Sequence, residues 1–288
     1  SRQMHPLGFN WIHSPVLDVN TNPKNPEDGT RSYAETTDEV IEWALESLKG
    51  FIDGKIVTSG KHFPGKGAAK GDSHKECPVI DLPKEEVMEQ IRPYKALMDA
   101  GMPCIMTAHV AVPSLDDSGM PATLSKTILT DILKGELGFK GVITTDDITM
   151  GGIVSMMEVS DAVIQSLKAG SDLILLRDDS SLTEEVMAKV ADAAESGELP
   201  MERIEDAVRR TLSVKYDYGM FENLNIRPVE EASSGIRDPK VEKICVRAAE
   251  LTTNVHRDNN NVIPISKDAK VLLVEQFNPL QEAVNDMY

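Results

Sequence analysis

Three cysteines in 288 residues, Cys77, Cys104 and Cys245, are too few and too far apart for a disulfide framework. They show no metal-binding spacing either, and their odd number is weak evidence for a reducing compartment. The six histidines, at positions 5, 13, 62, 74, 109 and 256, include no pair spaced four apart on a helix, so no metal is expected. Gly65-Lys-Gly67 is too short for a phosphate-cradling loop and lacks the following Ser or Thr, and no other cofactor motif is present. No apolar run approaches the ~18 residues of a membrane span. Basic residues are outnumbered, 30 against 47 acidic, and the net charge of −17 repels a polyanion at long range, which excludes nucleic acid as a partner. There are no internal repeats and no low-complexity segments.

What remains is an ordinary globular composition, 41% apolar and 27% charged, on a chain long enough for one α/β barrel of ~250 residues. Short β-branched runs at 11–17, 55–59, 103–108, 141–145 and 172–176 alternate with helical periodicity at 38–50, 84–100, 125–136 and 158–169, followed by helices at 182–196 and 200–218. The strands read as continuous apolar runs, the mark of a sheet buried on both faces. An open doubly wound sheet gives the same alternation. A barrel is favoured because Asp18, Lys61-His62, His109 and Asp146-Asp147 each follow a strand directly, and in a barrel those ends share the active face. The stretch 223–237 has turn residues and little periodicity and reads as a linker between a catalytic barrel, 1–222, and the start of a second α/β domain, 238–288. That second domain should open with a helix at 239–253, the turn-rich 256–261 and a strand at 269–275.

Two places concentrate chemistry. The stretch 61–74, Lys-His-Phe-Pro-Gly-Lys-Gly-Ala-Ala-Lys-Gly-Asp-Ser-His, is expected as a glycine-rich loop after a strand. Its titratable groups include Lys61, His62, Asp72 and His74, beside rigid or small residues. An imidazolium can donate a proton near neutral pH, and a carboxylate two residues away can fix its tautomer, so Asp72 and His74 suit general acid–base work. The second place is the strand 141–147, Gly-Val-Ile-Thr-Thr-Asp-Asp. Adjacent strand residues face opposite ways, so one carboxylate of Asp146 and Asp147 should enter the barrel mouth. Alone, the pair would more often cap the following helix.

Together these segments resemble glycoside hydrolase family 3, particularly its β-N-acetylglucosaminidases. The loop's Lys-His-Phe-Pro-Gly start and Asp-Ser-His end match that branch. So do Ser14–Asn20, the Met-Thr-Ala-His that ends at His109, and Asp28-Gly-Thr-Arg31-Ser-Tyr33. The resemblance runs from about residue 7 to 273. It implies a (β/α)8 TIM-type barrel, Asp146 as nucleophile, His74 as acid/base with Asp72 behind it, and Lys61, His62 and Arg31 as ligands of sugar hydroxyls. Three departures stand out. Lys66 replaces a usual His, Ala68-Ala69 replaces an Asp and a small polar residue, and Thr30 replaces an Asp.

The expected activity is that of a retaining exo-β-N-acetylglucosaminidase acting on terminal N-acetylglucosamine of peptidoglycan fragments or chitooligosaccharides, without a cofactor. A phosphorylase, a β-glucosidase, an acetamide-assisted mechanism and an inactive sugar-binding protein are the alternatives. The first barrel strands and most of the second domain are expected to lie outside these 288 residues, leaving the chain alone inactive. A cytoplasmic and an exported bacterial enzyme are both compatible with the sequence, as is any oligomeric state.

Overall fold

A computed structural model describes residues 1–177, 180–222, 228–236, 238–252 and 266. Five strands form one sheet: β1 (Trp11–Ile12), β2 (Val57–Phe63), β3 (Cys104–Thr107), β4 (Val142–Asp147) and β5 (Leu173–Leu175). All are parallel, and their spatial order is their chain order. A doubly wound sheet reverses order at a switch point. No reversal occurs among the described strands, so the sheet is an arc of a (β/α)8-type barrel, as the sequence implied.

β2 is buried except at Lys61, β4 is buried from Val142 to Thr145, and β3 is buried at every position. Helices cover the outside of the arc through one apolar stripe each. Thr37–Asp53 buries Val40, Ala44 and Leu48, and Thr127–Glu136, wound as a π-helix, buries Ile128, Leu129, Ile132 and Leu133. This three-to-four-residue spacing is the amphipathic signal that the sequence carried. Lys84–Asp99 presents Tyr94 edge-on to Phe63 of β2, with ring centroids 5.2 Å apart at 89°. Gly101 and Gly170, at φ of 92° and 129°, end their helices in a conformation that side chains disfavour.

One expectation is corrected. Lys61-His62-Phe63, expected in a loop, belongs to β2, which continues through Phe63. A register shift between Gly60 and Phe63 lets the strand resume pairing at Thr107, and wholly buried Phe63 makes that continuation favourable. The chain after β1 also pairs with this extension, through Leu17 N to Lys61 O (2.6 Å) and Lys61 N to Pro15 O (3.0 Å). Asp18 is thereby carried alongside His62.

The chain divides into two compact units, Ser1–Asp238 and Pro239–Tyr288. Within the stretch expected as linker, Val229–Ile236 is helical. Of the second unit, the helix Pro239–Thr252 is described. The turn at 256–261 and the strand at 269–275 lie outside the described residues.

Candidate active site

The polar residues picked out in the sequence gather at the C-terminal ends of the strands, with Asp18 as their deepest member. Its side chain is wholly buried and accepts Nδ1–H of His62 at 2.6 Å, the amide of Lys66 at 2.8 Å and the amide of His62 at 3.3 Å. Burial pushes its carboxyl up, while the charge of Lys66 and the amide donors oppose that push. Burial drives His62 well below the ordinary imidazole range, and the neighbouring Lys66 adds to this. His62 is therefore neutral, with its proton on Nδ1 facing Asp18. Its bare Nε2 faces the mouth, 3.8 Å from Asp146 Oδ2.

Asp146 ends β4. Its Oδ1 accepts the amide of Asp147 at 2.8 Å, which leaves Oδ2 toward the mouth. Burial pushes this carboxyl up, but the adjacent His62 and His109 rings and the Asp147 amide hold it below the usual carboxylate range. Asp147 points elsewhere: it accepts Thr149 N at 3.0 Å and Thr149 Oγ1 at 2.7 Å, and pairs with Arg177 at 3.2 Å. His109 Nε2 donates to the Asp147 carbonyl at 3.0 Å while Nδ1 meets Thr123 Oγ1 at 2.8 Å. Both ring nitrogens are thus engaged, and the ring fixes the turn that aims Asp146.

The Lys61 ammonium makes no hydrogen bond or ion pair among the described residues; burial lowers its pKa, opposed by the charge of Asp146. An ammonium that feels the charge of Asp146 without being consumed by a partner is free to donate to a ligand. Arg31, half exposed, turns one edge onto its own loop, with Nε to Glu27 O at 3.1 Å and Nη2 to Asp28 Oδ1 at 3.1 Å. Its field still reaches Asp18 and Lys61.

The loop bearing Asp72 and His74 is docked rather than loose. Asp72 Oδ1 accepts both His74 Nδ1 at 2.8 Å and the His74 amide at 3.0 Å. The His74 amide, opposed by partial burial and aided by the imidazole, holds the Asp72 carboxyl below its usual range. Gly152 N donates to Ser73 O at 2.9 Å, and Gly151 N to His74 O at 3.1 Å. The short helix Gly151–Val154 begins five residues after Asp146, so the Asp72–His74 loop and the β4 carboxylate are tied to one piece of backbone. A side chain at Gly151 would lie 2.6 Å from His74 O, which is why two glycines stand there. Gly67 meets the same demand: its Cβ would fall 1.8 Å from the Val19 carbonyl.

Sequence reasoning passed over Glu27 and His13. Glu27 reaches into the loop from 46 residues upstream of Ser73. His13 sits behind the mouth with Nδ1 3.2 Å from Ser59 Oγ, its pKa lowered by burial and by Lys61. Its place one residue past β1 was the available signal. Two His–carboxylate groups are close enough to share an ion, Asp18-Asp28-His62 and Glu27-Asp72-His74. In both, the positive charge is already supplied by Lys66, whose Nζ pairs with Glu27 Oε1 and lies 3.9 Å from Asp28 Oδ1.

The chain is similar to known glycosyl hydrolases. The model of the glycosyl hydrolase family 3 N-terminal domain matches residues 1–214. β-Hexosaminidase A of Pseudoalteromonas piscicida is 31% identical over 289 aligned positions, 94% of this chain and 48% of that protein. A family 3 β-N-acetylglucosaminidase from Paenibacillus sp. str. FPU-7 superposes with a TM-score of 0.73 at 35% identity, over 74% of this chain and 41% of its own. β-Glucoside phosphorylase BglX, bound to 2FGlc, gives 0.85 at 29% identity, over 92% and 49%. The chain spans about half the length of the curated relatives it matches.

Proposed function

The chain belongs to glycosyl hydrolase family 3, and from that premise we propose that it forms the catalytic barrel of a retaining exo-β-N-acetylglucosaminidase. The observation that carries this reading is the Asp72–His74 hydrogen bond on a loop whose backbone is bonded to the segment following Asp146. Retaining cleavage needs a nucleophile below the anomeric carbon and a proton donor beside the leaving oxygen. Asp146, ionised and with Oδ2 toward the mouth, attacks the anomeric carbon. The bond from that carbon to the aglycone oxygen breaks, and the oxygen takes a proton from His74 Nε2. Asp72 holds the Nδ1–H and stabilises the imidazolium that precedes transfer. The neutral imidazole then takes a proton from water, which attacks the glycosyl ester and frees Asp146.

Lys61 donates to a sugar hydroxyl, and the bare Nε2 of His62 accepts from one. Arg31 contributes through its field and its outer edge. Substrates of this reading are terminal N-acetylglucosamine residues of peptidoglycan fragments or chitooligosaccharides. A family relative in Cellulomonas fimi is named for both β-N-acetylglucosaminidase and β-glucosidase action, so glucosides belong in the substrate panel.

A 2-fluoro glycoside with a good leaving group should label the full-length protein, and mass spectrometry should place the adduct on Asp146. An adduct on Asp147, or turnover without any covalent species, refutes the mechanism. His74→Ala should spare aryl glycosides with good leaving groups and lose those with poor ones; equal loss on both refutes the acid role. A phosphorolytic variant is favoured by one observation, the similarity to BglX. A neutral imidazole admits phosphate where a carboxylate would repel it. Release of sugar phosphate rather than free sugar, with inorganic phosphate present, decides for it.

A further inference from the structure

The acid–base loop is held from its inner side by a residue that none of the chemistry above uses. Glu27 lies on the loop between β1 and the helix Thr37–Asp53, and its side chain is 5% exposed. Ser73 binds it through both of its donors. The amide donates to Oε2 at 3.1 Å, and the hydroxyl lies 3.0 Å from Oε1 and 2.9 Å from Oε2. Lys66 Nζ closes on Oε1 from the other side, its side chain 1% exposed. His74 Nδ1 is 3.7 Å from Oε1, too far for a hydrogen bond but close enough to feel its charge. Burial pushes the Glu27 carboxyl up, yet Lys66 and Ser73 hold it below the usual range, so it is ionised.

Glu27 and Lys66 require one another. A buried ammonium without a counter-charge is costly, and so is a buried carboxylate. Lys66 stands where the family resemblance leads one to expect His, and Glu27 is its partner. Ser73 separates Asp72 from His74, so whatever fixes Ser73 fixes the imidazole's approach. The loop thus has two anchors. One is the backbone of Gly151 and Gly152 on the nucleophile's side, and the other is the carboxylate of Glu27.

We propose that Glu27, fixed by its ion pair with Lys66, is the positioning residue of the acid–base loop, acting through Ser73 on the Asp72–His74 pair. The kinetic half of this proposal rests on His74 being the acid; the structural half does not. Two measurements on the full-length protein keep them apart. The first is amide hydrogen exchange across residues 72–75, which reads loop opening without reference to activity. Loss of charge-assisted bonds to Ser73 should speed exchange there by roughly 10- to 100-fold in Glu27→Gln.

The second is kcat/KM on aryl N-acetylglucosaminides with good and poor leaving groups. Glu27→Gln should lose roughly 10- to 100-fold on the poor leaving group, carried in kcat, and less than about 3-fold on the good one. Should Glu27→Gln fail to fold because Lys66 is left unpaired, Glu27→Gln with Lys66→Met removes both charges and should show the same two effects. Unchanged exchange at 72–75 in a folded variant overturns the proposal, and so does an equal loss on both substrates when His74→Ala itself discriminates between them. If His74→Ala does not discriminate, the acid reading falls and the exchange result alone decides whether Glu27 anchors the loop.

Discussion

Asp18→Asn tests whether the tautomer of a buried histidine sets the strength of the site. Asp18 is wholly buried and receives Nδ1–H of His62 at 2.6 Å. An Asn there can still accept the Lys66 amide through its oxygen. Its nitrogen, however, can only donate, so it faces His62 Nδ1 with a proton and drives the imidazole's own proton to Nε2. That nitrogen lies 3.8 Å from Asp146 Oδ2. It would then donate toward Asp146 and, under the proposed function, could no longer accept from a sugar hydroxyl. The lost charge-assisted bond is worth on the order of 1.5–3 kcal/mol, or roughly 10- to 150-fold in kcat/KM. Folding should suffer little, because a neutral side chain escapes the burial penalty that pushes the Asp18 carboxyl up. The assay pairs kcat/KM on an aryl N-acetylglucosaminide with nitrogen-15 shifts of His62, which distinguish the two tautomers. Wild-type activity with the proton moved to Nε2 would refute the reasoning. So would a loss of activity that merely follows a collapse of Tm.

Gly151→Ala should displace the acid–base loop, since its Cβ would lie 2.6 Å from His74 O and Lys75 C; kcat should fall at least about 10-fold at a stability cost of about 1–3 kcal/mol, and unchanged kinetics would show that the loop does not act from its docked position. Burial and the neighbouring Asp18 raise Asp28 to about 7, so the folded state keeps a proton that the unfolded chain releases above ~4. Stability should therefore fall by a few kcal/mol as pH rises from about 4 through 7 and then level off, and Asp28→Asn should remove that slope in thermal or urea unfolding; an unaltered slope refutes the assignment. Because Asp146 and Asp72 are both held below the usual carboxylate range, the acid limb of kcat/KM should begin below about pH 4, and a limb above pH 5 would contradict those shifts.

The barrel was legible in the sequence because its rules are local. Apolar runs, helical stripes and the glycines after the helices act over a few residues, and the expected elements differ from those observed by one to four residues at most boundaries. The departures have tertiary causes. Strand β2 runs on through Lys61-His62-Phe63 because Phe63 finds buried space beside Tyr94 and a partner in Thr107. The run 11–17 is mostly not ladder, since its second half bonds to Lys61 across a register break. No local pattern in 223–237 announced the helix Val229–Ile236.

The site divides along the same line. Asp72 and His74 were readable because two residues in one turn form the pair, and Asp146 because a strand end faces the mouth. Glu27 was not, since its partners Lys66 and Ser73 are 39 and 46 residues away. A lone Glu in Asn-Pro-Glu-Asp-Gly reads as a solvated turn. The formal charge of −17 likewise says nothing of the mouth. At the strand ends Asp18, Glu27, Asp28 and Asp146 face Lys61, Lys66 and Arg31, and Asp28 carries a proton near neutrality. The mouth is therefore close to electrically balanced inside an acidic protein, which under the proposed mechanism suits an uncharged sugar whose transition state gains positive character beside one ionised Asp. Which carboxylates stay charged there is decided by depth and by partners brought in from distant segments, so it is written in the fold's contacts and not in any single stretch of the chain.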